Sequence, residues 1–140
     1  MNVILDTNIW VSFLFGKQLH TVADLFSNPN IHIYVSEHLI SELTDVLSRP
    51  KVRQHISSES IEAMWTLIRE RCLPVENYPD VKLEIRDAKD VYLLAMAKAI
   101  PADFIVTGDK DLLVICKYGQ TAILTYNDFC LLLTSMHISR

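Results

Sequence analysis

The sequence predicts an α/β fold, a three-layer α/β/α sandwich with a central parallel sheet, on three observations. Short apolar runs rich in β-branched residues alternate with helix-periodic segments from end to end, the pattern of parallel strands joined by crossover helices. The 140 residues are 50% hydrophobic, enough to bury an ordinary core, and the length suits one domain spanning 1–140. Two of the apolar runs end in polar residues, and in open parallel sheets ligands bind beyond the carboxyl ends of the strands.

Residues 3–5, Val-Ile-Leu, read as a buried strand stopped by Asp6. Over residues 8–15, Ile9, Val11, Leu14 and Phe15 recur at helical rather than alternating spacing, and Gly16 closes the turn. Residues 19–26 form a second helix, ended by Asn28-Pro29-Asn30. A strand at 31–35 follows. Ser36 is then placed to cap a helix running to residue 47, with Leu39, Ile40, Leu43 and Leu47 on its apolar stripe, and Arg49-Pro50 ends it. Residues 58–71 are amphipathic, with Ile61, Met64, Trp65 and Ile68 at spacings of three and four and Trp65 read as core. A short edge strand is expected at 74–78, before the polar stretch 80–89. Residues 91–100 are rich in Leu, Ala and Met and read as a helix stopped by Pro101. A strand at 103–107, a helix at 112–116 closed near Gly119, a last strand at 121–124 and a last helix at 126–133 complete the order.

Composition narrows the function. The formal net charge of −4 argues against a chain that holds nucleic acid mainly through a strongly basic surface. It does not exclude nucleic acid, because carboxylates gathered around divalent cations make a protein acidic on paper while the bound metal reverses the local field. No apolar run approaches the roughly 20 residues of a membrane span, and the N-terminus lacks a secretion signal. A soluble, cytoplasmic protein is expected. Cys72, Cys116 and Cys130 are odd in number and far apart, which suits buried reduced thiols. His20, His32, His38, His55 and His137 show no zinc-type spacing. With three glycines and neither a P-loop nor GxGxxG, nucleotide cofactors are not expected.

The chemistry rests on carboxylates. Asp6 follows the first strand, and Thr107-Gly108-Asp109 follows the strand at 103–107, so both supply an acid to the same rim of the sheet. Singly, such an Asp is often only a helix N-cap. Glu42 sits beside the apolar stripe of its helix, between Ile40 and Leu43, whereas Glu37 and Asp45 fall on solvent-facing positions. Asp90 opens the helix at 91–100, with Asp87 three residues before it, so one of the two can cap while the other turns inward. Four carboxylates brought together repel one another unless cations fill the site. An all-oxygen set without His or Cys suits Mg²⁺ or Mn²⁺ rather than Zn²⁺. The natural chemistry is phosphodiester hydrolysis, in which such ions activate water and stabilise the leaving oxyanion.

Four segments, LDTNIW (5–10), SELTDVL (41–47), RDAKDVYLLAMA (86–97) and IVTGDKDLL (105–113), together resemble the PIN-domain family, in order and over nearly the whole chain. The likeness is to stand-alone prokaryotic toxins of the VapC type. It implies a PIN-like nuclease fold that cuts RNA with Mg²⁺ or Mn²⁺, often as a homodimer and often silenced by an antitoxin. By motif, Asp6, Glu42, Asp90 and Asp109 match the four acids, with Asp87 and Asp111 close enough to substitute or assist. Thr7 and Asn8 match the small polar residues after the first acid, and Thr107 the hydroxyl before the fourth, where they would orient ligands or water. Basic residues are sparse near these motifs: Lys17, Arg49, Lys51, Arg53, Arg86, Lys89 and Lys110 are the candidates for holding phosphates. Arg49, Lys51 and Arg53, after the Glu42 helix, form the best cluster and one wall of an RNA groove.

Three other readings compete. An Asp-dependent phosphatase would want Asp-x-Asp-x-Thr after the first strand, and here Asn8 replaces the second Asp. A phospho-receiver domain would need a phospho-accepting Asp at the end of a central strand, and none is evident in 31–35. A catalytically silent PIN fold, kept for binding RNA or protein, would be expected to lose one or more of the acids.

Overall fold

The computed structural model describes residues 1–16, 19–76, 78 and 91–136, with Leu19 described by its backbone alone. Strands β1 (Asn2–Leu5), β2 (His32–Val35), β3 (Leu73–Pro74), β4 (Phe104–Val106), β5 (Lys117–Tyr118) and β6 (Thr121–Leu124) form one sheet in the order β3-β2-β1-β4-β6-β5. All neighbours are parallel except β5 with β6. The helices are α1 (Thr7–Phe15), α2 (Leu19–Phe26), α3 (Glu37–Ser48), α4 (Pro50–Arg53), α5 (Ser58–Arg71), α6 (Val91–Ala99), α7 (Lys110–Leu113) and α8 (Tyr126–Ser135).

The strand order explains the layers. From β1 the chain steps outward through β2 to β3, then returns to place β4 on the other side of β1. Crossovers between parallel strands are right-handed, so reversing the direction of travel moves the connecting helices to the opposite face of the sheet. Helices α1 to α5 therefore cover one face and α6 the other. The reversal also opens a crevice at the carboxyl ends of β1 and β4, where neighbouring connections leave in opposite directions.

Burial on both faces accounts for the apolar runs. Val3, Ile4 and Leu5 of β1 and Ile105 and Val106 of β4 are all fully buried, so these strands show no alternation. On α6, residues 92–97 are all buried, and its sequence is accordingly apolar on every side. Helix α3 instead buries one stripe, Leu39, Leu43 and Leu47, spaced four residues apart. Its start is fixed by Ser36, whose Oγ accepts from the Leu39 N–H at 3.1 Å. Phe104 of β4 meets Phe129 of α8 with ring centroids 5.7 Å apart, which ties the last helix to the sheet.

The fold departs from the sequence expectations in four places. The strand expected at 74–78 is Leu73–Pro74, where Pro74 is tolerated because the strand lies at the sheet edge. The helix expected at 112–116 is the shorter α7, begun by Asp109. After it, β5 turns back on β6 through Gly119-Gln120, with Gly119 at φ 61°, the conformation a two-residue hairpin demands. The sheet is thus mixed at that edge rather than wholly parallel. Pro50 ends α3 but also begins α4, since a proline is favourable at a first helical position. Of the three cysteines, all free, Cys72 and Cys130 are half-buried but Cys116 is exposed, against the expectation of core packing. Burial pushes the Cys72 thiol up to about 12, which keeps it protonated and inert. Among the described residues no helix is long and apolar enough to cross a membrane.

Candidate functional site

Strand register builds the centre of the site. Val3, Ile4 and Leu5 pair with Phe104, Ile105 and Val106, so the next residues of the two strands, Asp6 and Thr107, come side by side. The Asp6 N–H donates to the Val106 carbonyl at 2.9 Å, continuing the ladder by one step. The Thr107 hydroxyl then donates to Asp6 Oδ2 at 2.7 Å and accepts from the Asp109 N–H at 3.0 Å. Asn8 closes the ring: its Nδ2 donates to Asp6 Oδ2 at 3.1 Å, and its Oδ1 accepts from the Gly108 N–H at 3.0 Å. The loops after β1 and β4 are thereby held to each other through side chains.

Asp6 and Asp109 are both helix caps. Asp6 Oδ1 accepts from the Thr7 N–H at 2.7 Å, and Asp109 Oδ1 accepts from the Asp111 N–H at 2.9 Å. Capping does not exhaust either group, because a carboxylate offers about four acceptor positions. Capping and chemistry are compatible at these positions.

Asp6, Glu42 and Asp109 line one open cleft of about 420 Å³. The stripes that face it are regular. On α1, Asn8, Val11, Ser12 and Phe15 stand at i, i+3, i+4 and i+7, beside the buried stripe of Ile9, Trp10, Phe13 and Leu14. On α3, Glu42 and Val46 stand one turn apart. The cleft is carboxylate-rich toward the strand ends and apolar toward Phe15.

Electrostatics mark Asp6 as the most stressed of the three. Only 3% of it is exposed, and its carboxyl is raised from 3.8 to about 6. Loss of hydration is the largest cause; the hydrogen bonds from Thr107 and Thr7 oppose it, and the charges of Glu42 and Asp109 add to it. Among the described residues no three His, Cys, Asp or Glu side chains are gathered tightly enough to hold a metal ion by themselves.

The residues nevertheless suit a hard divalent cation. Among the described residues, every charged group lining the cleft is a carboxylate, and neither His nor Cys is among its walls. The Thr7 hydroxyl, in the same wall, is buried without a hydrogen-bond partner among the described residues, so the site holds an unsatisfied oxygen as well as unneutralised charge.

The remaining sequence candidates divide. Asp87 and Asp90 lie outside the described residues, as do Lys17, Arg86 and Lys89. Next to them, Tyr92 at the start of α6 stacks on His38 of α3 with centroids 3.9 Å apart and planes within 7°, one turn before Glu42. Asp111 is half-buried in the first turn of α7 and is not part of the cleft wall. Arg49 pairs with Asp45 at 3.1 Å, and Lys51 and Arg53 are exposed on α4. Lys110 is exposed. Val11, Ser12, Phe15 and Val46 were not singled out as site residues by sequence. The signal that finds them is helical spacing from a site polar residue, Asn8 on α1 and Glu42 on α3, where the stripe departs from the core stripe.

Comparison with known proteins agrees with this fold. A chain of the VapBC2 complex of Rickettsia felis, solved bound to a DNA fragment from its promoter, shares the fold with a TM-score of 0.54 at 15% identity, covering 88% of this chain and 97% of that one. The T. brucei RRP44 PIN domain aligns with a TM-score of 0.50 at 13% identity, covering 96% of this chain and 82% of that one. No curated protein sequence matches. The sequence model of the PIN domain matches residues 2–111, a span that includes both sheet-rim loops and the α3 acid. By that match, and by the parallel sheet that carries it, the chain belongs to the PIN-domain family.

Proposed function

We propose that this protein is a metal-dependent endoribonuclease that hydrolyses RNA phosphodiester bonds in the cleft at the carboxyl ends of β1 and β4. The observation that carries the reading is the convergence of Asp6, Glu42 and Asp109 on one cleft, with Asp6 held largely out of water. Asp6, Glu42 and Asp109, with Asp90 as the fourth acid by motif, would hold Mg²⁺ or Mn²⁺. Such an ion, when bound, supplies activated water and neutralises charge on the phosphate.

The chain's own part is to aim the ligands. Thr107 and Asn8 fix Asp6 Oδ2 through two donors, and the Thr7 N–H fixes Oδ1, so the carboxylate cannot rotate away. Glu42 is supplied by α3 and Asp109 by the loop after β4. Lys51 and Arg53, exposed on α4 though not among the cleft walls, are the cations that would meet RNA phosphates, whereas Arg49 is partly engaged by Asp45. By the resemblance to stand-alone prokaryotic PIN-domain toxins, the proposal extends to a cytoplasmic toxin held by a protein antitoxin, acting as a homodimer.

Cleavage of single-stranded RNA by wild type and Asp6→Asn, in Mg²⁺ or Mn²⁺ and in EDTA, tests the reading. Wild type is expected to cleave only with metal, and Asp6→Asn to lose at least 100-fold. Equal rates for the two, or cleavage that survives chelation, would overturn it. Asp90→Asn should match Asp6→Asn, whereas Asp87→Asn and Asp111→Asn should keep most of the activity.

A further inference from the structure

The outer end of the cleft is unlike the inner end. Phe15, the last residue of α1, lines the cleft and is 44% exposed, so an aromatic face is open to solvent at the mouth of a charged site. Its ring lies beside the His55 imidazole with centroids 5.9 Å apart and planes tilted by 43°. His55 belongs to the turn between α4 and α5, and is itself exposed. That turn directly follows α4, which carries Lys51 and Arg53, both exposed and without an ion pair among the described residues. Val11 and Val46 complete the apolar wall.

We infer that Phe15, with the His55 ring beside it, forms a seat for an unstacked nucleobase of single-stranded RNA flanking the phosphate that is cut. The inference rests on the ribonuclease reading and adds to it a substrate-positioning residue.

Three physical points converge on this occupant. A nucleobase presents an aromatic face to an exposed ring whatever its identity, and such stacking is how proteins hold single-stranded nucleic acid without reading sequence. Lys51 and Arg53, exposed on the short helix that leads into the His55 turn, offer cations for the adjoining phosphates, which the acids at the inner end repel in the absence of metal. Finally, Asn8 and Phe15 lie seven residues apart on one face of α1, about 10 Å along the helix. The seat is therefore near the acids but separate from them, as a flanking nucleotide requires. A base inside a duplex is stacked on both faces and cannot use the seat, so paired RNA should be a poor substrate.

The test is a split of kinetic constants with an independent binding signal. Phe15→Ala is expected to raise KM for a single-stranded oligoribonucleotide about 5- to 160-fold, the range for loss of one stacked base, with kcat changed less than about threefold. Phe15→Trp should hold KM near wild type, which a purely structural role for the phenyl ring would not produce. Binding is read by 2-aminopurine placed at successive positions of the oligonucleotide, in an Asp6→Asn background that does not cleave. One position should be quenched on binding, and adding Phe15→Ala should abolish that quench. Unchanged KM and unchanged quench in Phe15→Ala would overturn the seat and leave the apolar wall to a protein partner. If wild type cleaves no RNA, the ribonuclease reading fails, and the quench alone decides whether the base seat exists.

Discussion

Asp6 shows how much a single residue can be asked to do. It ends a buried strand, caps a helix and faces two other carboxylates, and the sum of these is a carboxyl raised to about 6. The native state keeps a proton that the unfolded chain releases near 3.8, so Asp6 lowers stability as pH rises between about 4 and 6, and that loss persists above. The size is on the order of 3 kcal/mol. Metal-free Asp6→Asn should accordingly melt higher than wild type at pH 7.5, with the difference shrinking toward pH 4; calorimetry across that range checks it, and equal melting at pH 7.5 would count against the strain. Thr107 works in the other direction, since its hydroxyl favours the ionised form. In the metal-free protein Thr107→Val should move the Asp6 titration upward, which carboxyl NMR between about pH 4 and 8 would show and an unmoved titration would contradict. Asp6 and Asp109 were legible in the sequence because each follows an apolar run. Phe15 was not, because it continues the apolar spacing of α1 and only its neighbours decide whether it faces core or cleft.

At the scale of elements, the helices that bear site residues each carry two stripes, one for the core and one for the cleft. Leu39, Leu43 and Leu47 anchor α3, and that anchoring is what points Glu42 and Val46 at the acids. Ser36 sets where the helix starts and so the phase of both stripes. Ser36→Ala should cost about 1 kcal/mol through the lost cap. Denaturant melts would show it, and a cleavage rate within tenfold of wild type would show that core packing, not the cap, holds the phase. Helices with a clear stripe were readable from sequence, α5 to the residue. Short elements were not. Helix α4 and strand β5 are four and two residues long, too short for any periodicity to register, and β5 exists because Gly119 permits the turn that pairs it with β6.

For the molecule as a whole, stability comes from the buried layers and the cost is concentrated at the rim. Leu94 of α6 is fully buried and Leu131 of α8 is 62% exposed. Leu94→Ala should lose about 2–5 kcal/mol and Leu131→Ala less than about 0.5. Denaturant melts of the pair measure how far the core stops short of the surface of α8. Mn²⁺ should raise the melting temperature of wild type, by about 2.7 kcal/mol of stability at a hundredfold excess over its dissociation constant, and should not raise that of Asp6→Asn. A rise of equal size in both would place the ion elsewhere. The sequence by itself determined the alternation of strands and helices, the fold class and two acids of the rim, because burial on both faces writes uninterrupted apolar runs and a site writes polar residues at their ends. The tertiary structure decided the rest: that Asp6 and Thr107 are neighbours across 101 residues, that Glu42 joins them from α3, and that Phe15 belongs to the cleft. Strand order and helix phase set those contacts, and neither is a property of any local stretch of chain.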